Sequence, residues 1–320
     1  VYKRQFKTST WGPWLPMPKK QPKKERWALM ADTLQVVILG LLLGGVYALM
    51  ASGLTLMFGV MRVVNLAHAA FIVLGAYFAY WAFELFGIDP LISMFLAMPV
   101  FFALGVFLYR VLFPRIEGSD RFGEMTVLLT FGLAFLVEGL MSWLWTGIFR
   151  TVNTGYSTDA IFIGEIFIPT GHLLASIASA GLLIALWAFL KFTRIGYGVR
   201  ATMQNRDAAQ LVGVNVQGVS TISFGIGMAL AGAAGTLVSF VFTFFPARHW
   251  AWLAILLSLI VVGGRGSIKG AVISALTLAV LSSLVTDRIS PEWAPMAFFG
   301  VLFLVLMVRP QGLFGKKVRI

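Results

Sequence analysis

Long apolar segments separated by shorter polar connections recur along almost the whole of this 320-residue chain. The segments are mostly Leu, Ile, Val, Ala, Gly and Phe, and one crossing of a lipid bilayer takes about 20 such residues. An apolar–polar alternation with a period of two, as in membrane β-barrels, is absent. The pattern predicts an all-α, polytopic membrane protein with about nine membrane-spanning helices, at residues 33–58, 67–83, 91–112, 124–148, 171–191, 219–241, 251–264, 268–285 and 294–308.

Composition and charge agree with a membrane protein. Hydrophobic residues make up 59% of the chain and charged residues 12%, which excludes an ordinary soluble domain. The net charge of +12 could indicate nucleic-acid binding, but most Lys and Arg fall on one side of the membrane if the first helix starts outside. After residue 30, the predicted outer loops hold only Arg150, Arg248 and Arg288. Because basic loops stay on the cytoplasmic side, the charge indicates orientation and contact with membrane lipid, with no nucleic-acid partner.

Residues 1–29 break this charge rule, because their Lys- and Arg-rich sequence would lie outside. They do not begin with Met, and a Pro- and Lys-rich run precedes Met30, from which MADTLQVVILG reads as a short polar start to a helix. We therefore expect residues 1–29 to be a non-native or disordered extension and residues 30–320 to form the membrane domain. The alternative is a real cytoplasmic tail in front of a helix that is counted wrongly.

The connection between the fifth and sixth predicted spans is long, polar and cationic. From Lys191 it reads KFTRIGYGVRATMQNRDAAQLVGVN, and cationic loops of this length stay in the cytoplasm. A short helix is expected near Asn205 to Val212, and Gly196 and Gly213 allow bends on either side of it. A cytoplasmic loop that folds into a small helix is typical of a docking element for a soluble partner.

Small residues recur at a spacing of four on three predicted helices: Gly40, Gly44, Ala48 and Ser52; Gly227, Ala231 and Gly235; and Gly266, Gly270 and Ser274. A four-residue step returns to nearly the same helix face, so each set lets another backbone approach closely. The first and sixth helices are each followed by a break that contains Arg and His, in RVVNLAH and PARH. Helices 1–4 and 6–9 are therefore predicted to form an inverted repeat joined by helix 5, an arrangement common in transporters.

Residues 150–170 mix Thr, Asn and Gly with short β-prone runs, which predicts an ordered outer hairpin.

No catalytic or metal-binding motif is visible in the sequence. The histidines His68, His172 and His249 lack the paired spacing or nearby Cys that zinc sites need. The run GGRGSIKG at residues 263–270 lacks the order of a phosphate-binding P-loop, so the chain cannot bind and hydrolyse ATP in that manner. If the activity is driven by ATP, another polypeptide must hold the nucleotide.

Polar groups within the apolar segments are the remaining candidates for function. Glu138 lies inside the fourth helix, where a carboxylate is costly. Only Ser142 shares its face, so a proton relay and a hydrogen-bonded Glu facing the bundle both stay open. Asn65 and His68, three residues apart, can present their side chains on one face. Either Asn65 caps the second helix or the two side chains line a polar path. The predicted translocation path consists of Asn65, His68, Glu138, Gly263 and Gly264.

Five ordered sequence blocks resemble one known family. They are GLLLGGVYALMASGLTLMFGVMRVVNLAH at 39–68, GYGVRATMQNRDAAQLVGVN at 196–215, GMALAGAAGTL at 227–237, GGRGSIKGAV at 263–272 and RPQGLFG at 309–315. Together they resemble the membrane permease subunits of branched-chain amino-acid-type ABC importers, over about residues 30–315. That family usually continues the Asn-x-Ala-His motif with Gly and an acidic or polar residue. Here Ala69, Ala70 and Phe71 follow, which leaves the substrate class open.

The resemblance implies a permease subunit without enzymatic activity or a cofactor of its own, in the bacterial cytoplasmic (inner) membrane. It implies a second, related permease subunit, two cytoplasmic ATPase subunits that hold ATP and Mg, and a periplasmic substrate-binding protein. The substrate would be a branched-chain amino acid or a similar small polar solute, moved inward by alternating access. The loop 192–217 would be the segment that docks into an acidic groove of the ATPase, through Gly196, Arg200, Asn205, Arg206, Asp207, Ala208, Ala209 and Gly213.

Three other functions are compatible with parts of the sequence. A sugar- or nucleoside-type ABC permease has the same architecture, but usually an additional first helix. A membrane-embedded enzyme would need a cluster of acids, bases or metal ligands at membrane depth, and only Glu138 is found there. A channel would explain a pore but not the docking loop. Co-purification with an ATPase would separate the importer from the enzyme and the channel.

Overall fold

The computed structural model describes residues 22–117, 119–164, 166–264 and 266–315, with side chains from residue 31 onward. In this part of the chain, twelve α-helices and one β-hairpin follow one another. They are α1 Pro22–Met61, α2 His68–Phe86, α3 Pro90–Leu112, α4 Phe122–Trp145, α5 Gly155–Thr158, β1 Ala160–Ile163, β2 Ile166–Pro169, α6 Thr170–Phe192, α7 Arg194–Gln204, α8 Arg206–Leu211, α9 Val216–Val241, α10 Arg248–Gly263, α11 Ile268–Arg288 and α12 Ala294–Val308.

The helices confirm the predicted all-α, polytopic architecture. Eight helical segments of the described residues are long and apolar enough to cross a membrane, the last of them being α12 together with the 3-10 turn before it, Pro291–Val308. The seventh predicted span corresponds to the shorter apolar helix α10. With 16 residues, α10 is about 24 Å long, less than the roughly 30 Å of a bilayer core. The predicted end of the fourth span at residue 148 is wrong, because α4 stops at Trp145 and Thr146 has a positive φ of 62°.

Helix α1 begins earlier than the sequence pattern suggested. It runs without interruption from Pro22 through Met30, so the backbone of residues 22–29 is helical. The rest of the expected extension, residues 1–21, lies outside the described residues. The division of the chain at Met30 stays a prediction.

The bundle has two halves, α1–α4 and α9–α12, and the first helix of each half packs along the third helix of the other half. Helix α1 packs along α11, and a Cβ built on Gly44 would lie 2.9 Å from Leu276 Cα, so the two backbones are in direct contact. Helix α9 packs in the same way along α3, where a Cβ on Gly232 would lie 2.6 Å from the ring of Phe101. On the predicted stripe of α9, a Cβ on Gly227 would lie 2.9 Å from Gly53 O of α1, and a Cβ on Gly235 would lie 2.8 Å from Ala76 N of α2. The stripes of α1 and α9 therefore face neighbouring helices, as predicted, and α9 is almost entirely buried.

This exchange supports the predicted inverted repeat. If α1–α4 correspond to α9–α12, the contact of α1 with α11 is the counterpart of the contact of α9 with α3. Each leading helix is followed by a break of the same length, residues 62–67 and 242–247. Each break ends in a right-handed helical Ala, Ala67 or Ala247, and a buried His follows within two residues.

The predicted outer hairpin is present between α4 and α6. Strands β1 and β2 pair antiparallel, with Ile163 opposite Ile166. The side-chain amide of Gln35 on α1 donates to the carbonyl of Phe167 and accepts from its N–H, at 2.5 and 2.8 Å. Arg150 forms a β-bridge with Phe244. These contacts fasten the hairpin and the start of the loop to the end of the bundle opposite α7 and α8.

Candidate functional site

The polar connection between α6 and α9 is a chain of capped helices. Thr193 accepts a hydrogen bond from Gly196 N at 2.9 Å and begins α7. Asn205 accepts from Asp207 N and Ala208 N at 3.1 Å and begins α8, and Asn215 accepts from Gly218 N at 2.8 Å and begins α9. Short polar side chains at these positions satisfy the first free N–H groups of each helix. The predicted short helix is α8, whereas α7 was expected to be loop.

Two glycines of this connection have different roles. Gly213 has a φ of 85°, in the left-handed region, and its N–H donates to Gln210 O at 2.9 Å, which closes the end of α8. Gly196 lies against α6, where a Cβ would come within 2.7 Å of Leu190 Cα. Gly213 therefore makes the bend that the sequence predicted, and Gly196 instead allows α7 to pack directly on α6.

Arg206 does not face outward as the proposed acidic groove would require. Its Nη2 donates to Glu117 Oε1 at 2.5 Å, and the two side chains are only 23% and 28% exposed. This pair joins the start of α8 to the turn between α3 and α4. The Arg200 guanidinium stacks over the ring of Tyr197 at 4.6 Å and is partly buried. Both cations thus have a partner within the chain, and their direct contact with an ATPase stays a prediction.

Two apolar side chains of the connection are highly exposed. Leu211 is 88% exposed and Val212 80% exposed, at the end of α8. We call these two residues the apolar tip. Asp207 and Ala208 are exposed on the same short helix, while Ala209 is buried beneath them. Sequence reasoning missed the tip, although two consecutive apolar residues at the end of a polar segment were its signal.

Asn65 and His68 both contact α1. Asn65 accepts from Ala67 N at 3.1 Å and donates to Met57 Sδ at 3.3 Å. The His68 ring shares a hydrogen bond between Nε2 and Met50 O at 3.0 Å. Both side chains are buried. The structure brings them to one surface of α1 in the packed core, and their place on a translocation path stays a prediction. Asn65 precedes the N-cap position, which Ala67 occupies.

Glu138 has partners from the other half of the bundle. Trp250 Nε1 donates to Glu138 Oε2 at 3.0 Å, and His249 Nε2 lies 3.8 Å from the same oxygen. The Trp250 ring also packs on Phe131 and Phe135, with centroid distances of 5.6 and 5.1 Å. A carboxylate, an indole and an imidazole therefore meet between α4 and the start of α10. Of the two interpretations left open by the sequence, the hydrogen-bonded Glu agrees with this geometry.

Gly263 and Gly264 belong to a close backbone contact at the inner end of the bundle. A Cβ on Gly263 would meet the backbone of Gly270, and Leu313 N donates to Val262 O at 2.9 Å. Gly264 has a φ of 96° and touches the backbone of Gly315. The sequence blocks GGRGSIKGAV and RPQGLFG thus form one structural unit. In this structure the two glycines allow close packing, and their place on a translocation path stays a prediction.

These features define a class of protein. A bundle of membrane-spanning helices in two halves, with a capped polar connection between the halves, is consistent with a membrane permease subunit. The profile of the family described as branched-chain amino acid transport system / permease component matches residues 36–307, and the chain belongs to this family.

Individual relatives agree with that family. The chain is 27% identical over 301 residues to the high-affinity branched-chain amino acid transport system permease protein BraD of Pseudomonas aeruginosa, covering 88% of this chain and 96% of BraD. It is 28% identical over 307 residues to the corresponding permease protein LivH of Escherichia coli K12, covering 88% and 96%. It also matches LivM of Escherichia coli K12, at 27% identity over 165 residues, 50% of this chain and 38% of LivM.

Proposed function

We propose that this chain is the membrane-spanning subunit of an ATP-driven importer that moves branched-chain amino acids, or similar small polar solutes, into the cytoplasm by alternating access. The family and the names of BraD and LivH support the transport class and the substrate class. The single observation that carries the mechanism is the exposed apolar tip on a segment fastened to several membrane helices. Two adjacent exposed apolar side chains on a polar segment offer a small surface that a partner can cover.

The partners follow from the same reasoning. Both LivH and LivM resemble this chain, which favours pairing with a second, related permease subunit. Two cytoplasmic ATPase subunits would hold ATP and Mg, and one of them would bind the tip of this chain. A periplasmic binding protein would deliver the substrate on the side of the hairpin. The bacterial cytoplasmic membrane is the expected location. This chain then supplies the path and the mechanical connection, and hydrolysis takes place on the ATPases.

The segment can transmit motion because it is attached at three points. Gly196 allows α7 to pack closely against α6. Asn215 caps α9 directly after the bend at Gly213, and Arg206 binds Glu117, which precedes α4. A push on the tip by ATP-driven closure of the ATPases would therefore act on α6, α9 and α4 together. Rigid-body movement of packed helices is the usual basis of alternating access. Glu138, Asn65 and His68 are the polar groups that such a movement would expose to the substrate.

The test is a charge placed on the tip. In proteoliposomes that contain the second permease, the ATPases and the binding protein, Leu211→Asp should lower substrate-stimulated ATP hydrolysis and transport at least tenfold. Burial of a Leu side chain contributes about 1.5–3 kcal/mol, which the carboxylate would forfeit. The matched control is Gln210→Asp, the same carboxylate on an exposed polar position one residue earlier, which should change both rates less than twofold.

The outcomes separate the competing functions. If Leu211→Asp couples hydrolysis to transport as the original chain does, the segment is a solvated connector and the mechanism is wrong. Solute flux without ATP would indicate a channel. Stimulation by ribose or a nucleoside, with none by leucine, isoleucine or valine, would favour the sugar- or nucleoside-type permease.

A further inference from the structure

Glu138 is unusual among the acidic residues of the described spans. The other Asp and Glu residues of these helices lie within three residues of the end of a span. Glu138 is 16 residues from the start of α4 and seven from its end, or about 24 Å and 10 Å at 1.5 Å per residue. It therefore lies within the membrane, in the half nearer the side from which substrate would arrive.

The carboxylate is not sealed inside the bundle. The Glu138 side chain is 20% exposed, and it lies on a face of α4 with the exposed rings of Phe131 and Phe135. Ser142, one turn further toward the outside, is exposed as well. Because a carboxylate that faces hydrocarbon at this depth would cost several kcal/mol, we expect this face to meet a polar phase or a polar partner in the working assembly.

The surroundings of the carboxylate suit a primary ammonium group. Trp250 Nε1 donates to Oε2 at 3.0 Å, and His249 Nε2 lies 3.8 Å from the same oxygen. The other oxygen, Oε1, has no hydrogen bond among the described contacts. The rings of Phe131, Phe135 and Trp250 contact one another at centroid distances of 4.8 to 5.6 Å beside the carboxylate. An anion next to aromatic rings attracts a cation by direct charge, by charge-assisted hydrogen bonds and by the cation–π effect.

We propose that Glu138, with Phe135 and Trp250, binds the α-ammonium group of an amino-acid substrate in the outer half of the translocation path. This inference rests on the proposed function and assigns the group of the substrate that the membrane subunit itself recognises. The carboxylate accepts hydrogen bonds from the ammonium through Oε1, and Trp250 holds the carboxylate in position. Solutes that lack an ammonium group gain no binding free energy from Glu138, so the permease adds to the selectivity of the periplasmic binding protein.

The absence of cysteine from the chain makes the test direct. Ser142→Cys places one thiol on the Glu138 face, and its labelling by a membrane-impermeant thiol reagent is followed in the complete transporter complex. Leucine should slow labelling, and the 2-oxo acid of leucine, which keeps the side chain and the carboxylate, should not. Adding Glu138→Gln should raise the leucine concentration for half-protection about tenfold or more, because a charge-assisted hydrogen bond becomes a neutral one. Adding Phe135→Leu should raise it a few-fold.

The control is Leu136→Cys, an exposed position two residues from Glu138 on another face of α4, which should not be labelled or protected. No labelling of Ser142→Cys in any state would mean that the second permease or lipid covers this face, and equal protection with Glu138→Gln would remove the ammonium assignment. Transport distinguishes this failure from that of the proposed function. If Glu138→Gln transports leucine with unchanged KM, only the inference falls, whereas no ATP-driven leucine transport by the original chain overturns the proposed function itself.

Discussion

Exchanging the two charges of the Arg206–Glu117 pair tests how the connection between α6 and α9 is attached to the membrane helices. The sequence suggested that Arg206 meets an acidic groove of a partner, but in the structure its guanidinium binds Glu117 at 2.5 Å. Arg206→Glu would place two carboxylates at this site. If the pair is internal, Arg206→Glu with Glu117→Arg should restore attachment, because the opposite charges meet again in reversed positions.

The size of the effect follows from the geometry. Both side chains are about three-quarters buried, and two like charges about 4 Å apart repel by about 4 kcal/mol at an effective dielectric constant of 20. Part of this repulsion is relieved when the side chains swing apart. The repulsion that remains is still large compared with the stability of α8, because an isolated helix of six residues is unstable in water. We expect α8 to detach locally while the membrane bundle keeps its fold.

Two measurements check this expectation in the assembled complex. Hydrogen exchange at the amides of residues 207–211 should be at least tenfold faster in Arg206→Glu and in Glu117→Arg, and normal within about threefold in the double variant. Substrate-stimulated ATP hydrolysis should fall and recover in the same order. If the double variant stays inactive although α8 is again protected, Arg206 contacts the ATPase directly. If Arg206→Glu alone couples normally, the pair has no part in transmission.

Three further changes have defined outcomes. Gly44→Ala should destabilise the purified permease by about 1–3 kcal/mol in a detergent unfolding titration, because the added Cβ meets the backbone of α11. The control Gly181→Ala, in open space on α6, should be neutral or stabilising by up to about 1 kcal/mol. Equal effects of the two changes would show that the stripe faces lipid. Gly213→Pro should leave assembly intact and abolish coupled ATP hydrolysis, since proline cannot adopt a φ of 85° and removes the donor to α8; normal coupling would mean that this bend is unimportant. Thr130→Val should cost about 1–3 kcal/mol, because Leu66 N loses the hydroxyl that it binds at 3.2 Å; unchanged stability would mean that water replaces the hydroxyl.

The helices were predictable from the sequence because membrane spans depend on local composition. Nearly all predicted span boundaries lie within a few residues of those observed, and the errors have local causes. Helix α4 ends where Thr146 adopts a positive φ, and α9 begins three residues early because Asn215 caps it. Helix α7 was missed because its mixed polar sequence resembles a loop, although the Thr193 cap is visible in the sequence.

The contacts of the candidate site were not predictable in the same way. Glu138 and Trp250 are separated by 112 positions, and Arg206 and Glu117 by 89. No periodicity along a single helix indicates which of the many polar residues in other helices will lie opposite. The partners depend on how the two halves exchange helices, which is a property of the whole bundle. The sequence therefore identified Glu138 as a residue of interest but not the indole that orients it.

The exchange of helices between the halves has a consequence for how the protein is made. Helices α1 and α3 leave the ribosome long before their main partners α11 and α9, so the glycine face of α1 enters the bilayer with no helix to cover it. Helices that have already been inserted must remain free to move apart and to admit later ones, and close packing follows insertion. Neither half is then a folding unit alone. Two separately synthesised fragments, cut in the connection after α6, would be expected to find each other in the membrane, whereas a chain arrested before α11 would remain a target for quality-control proteases.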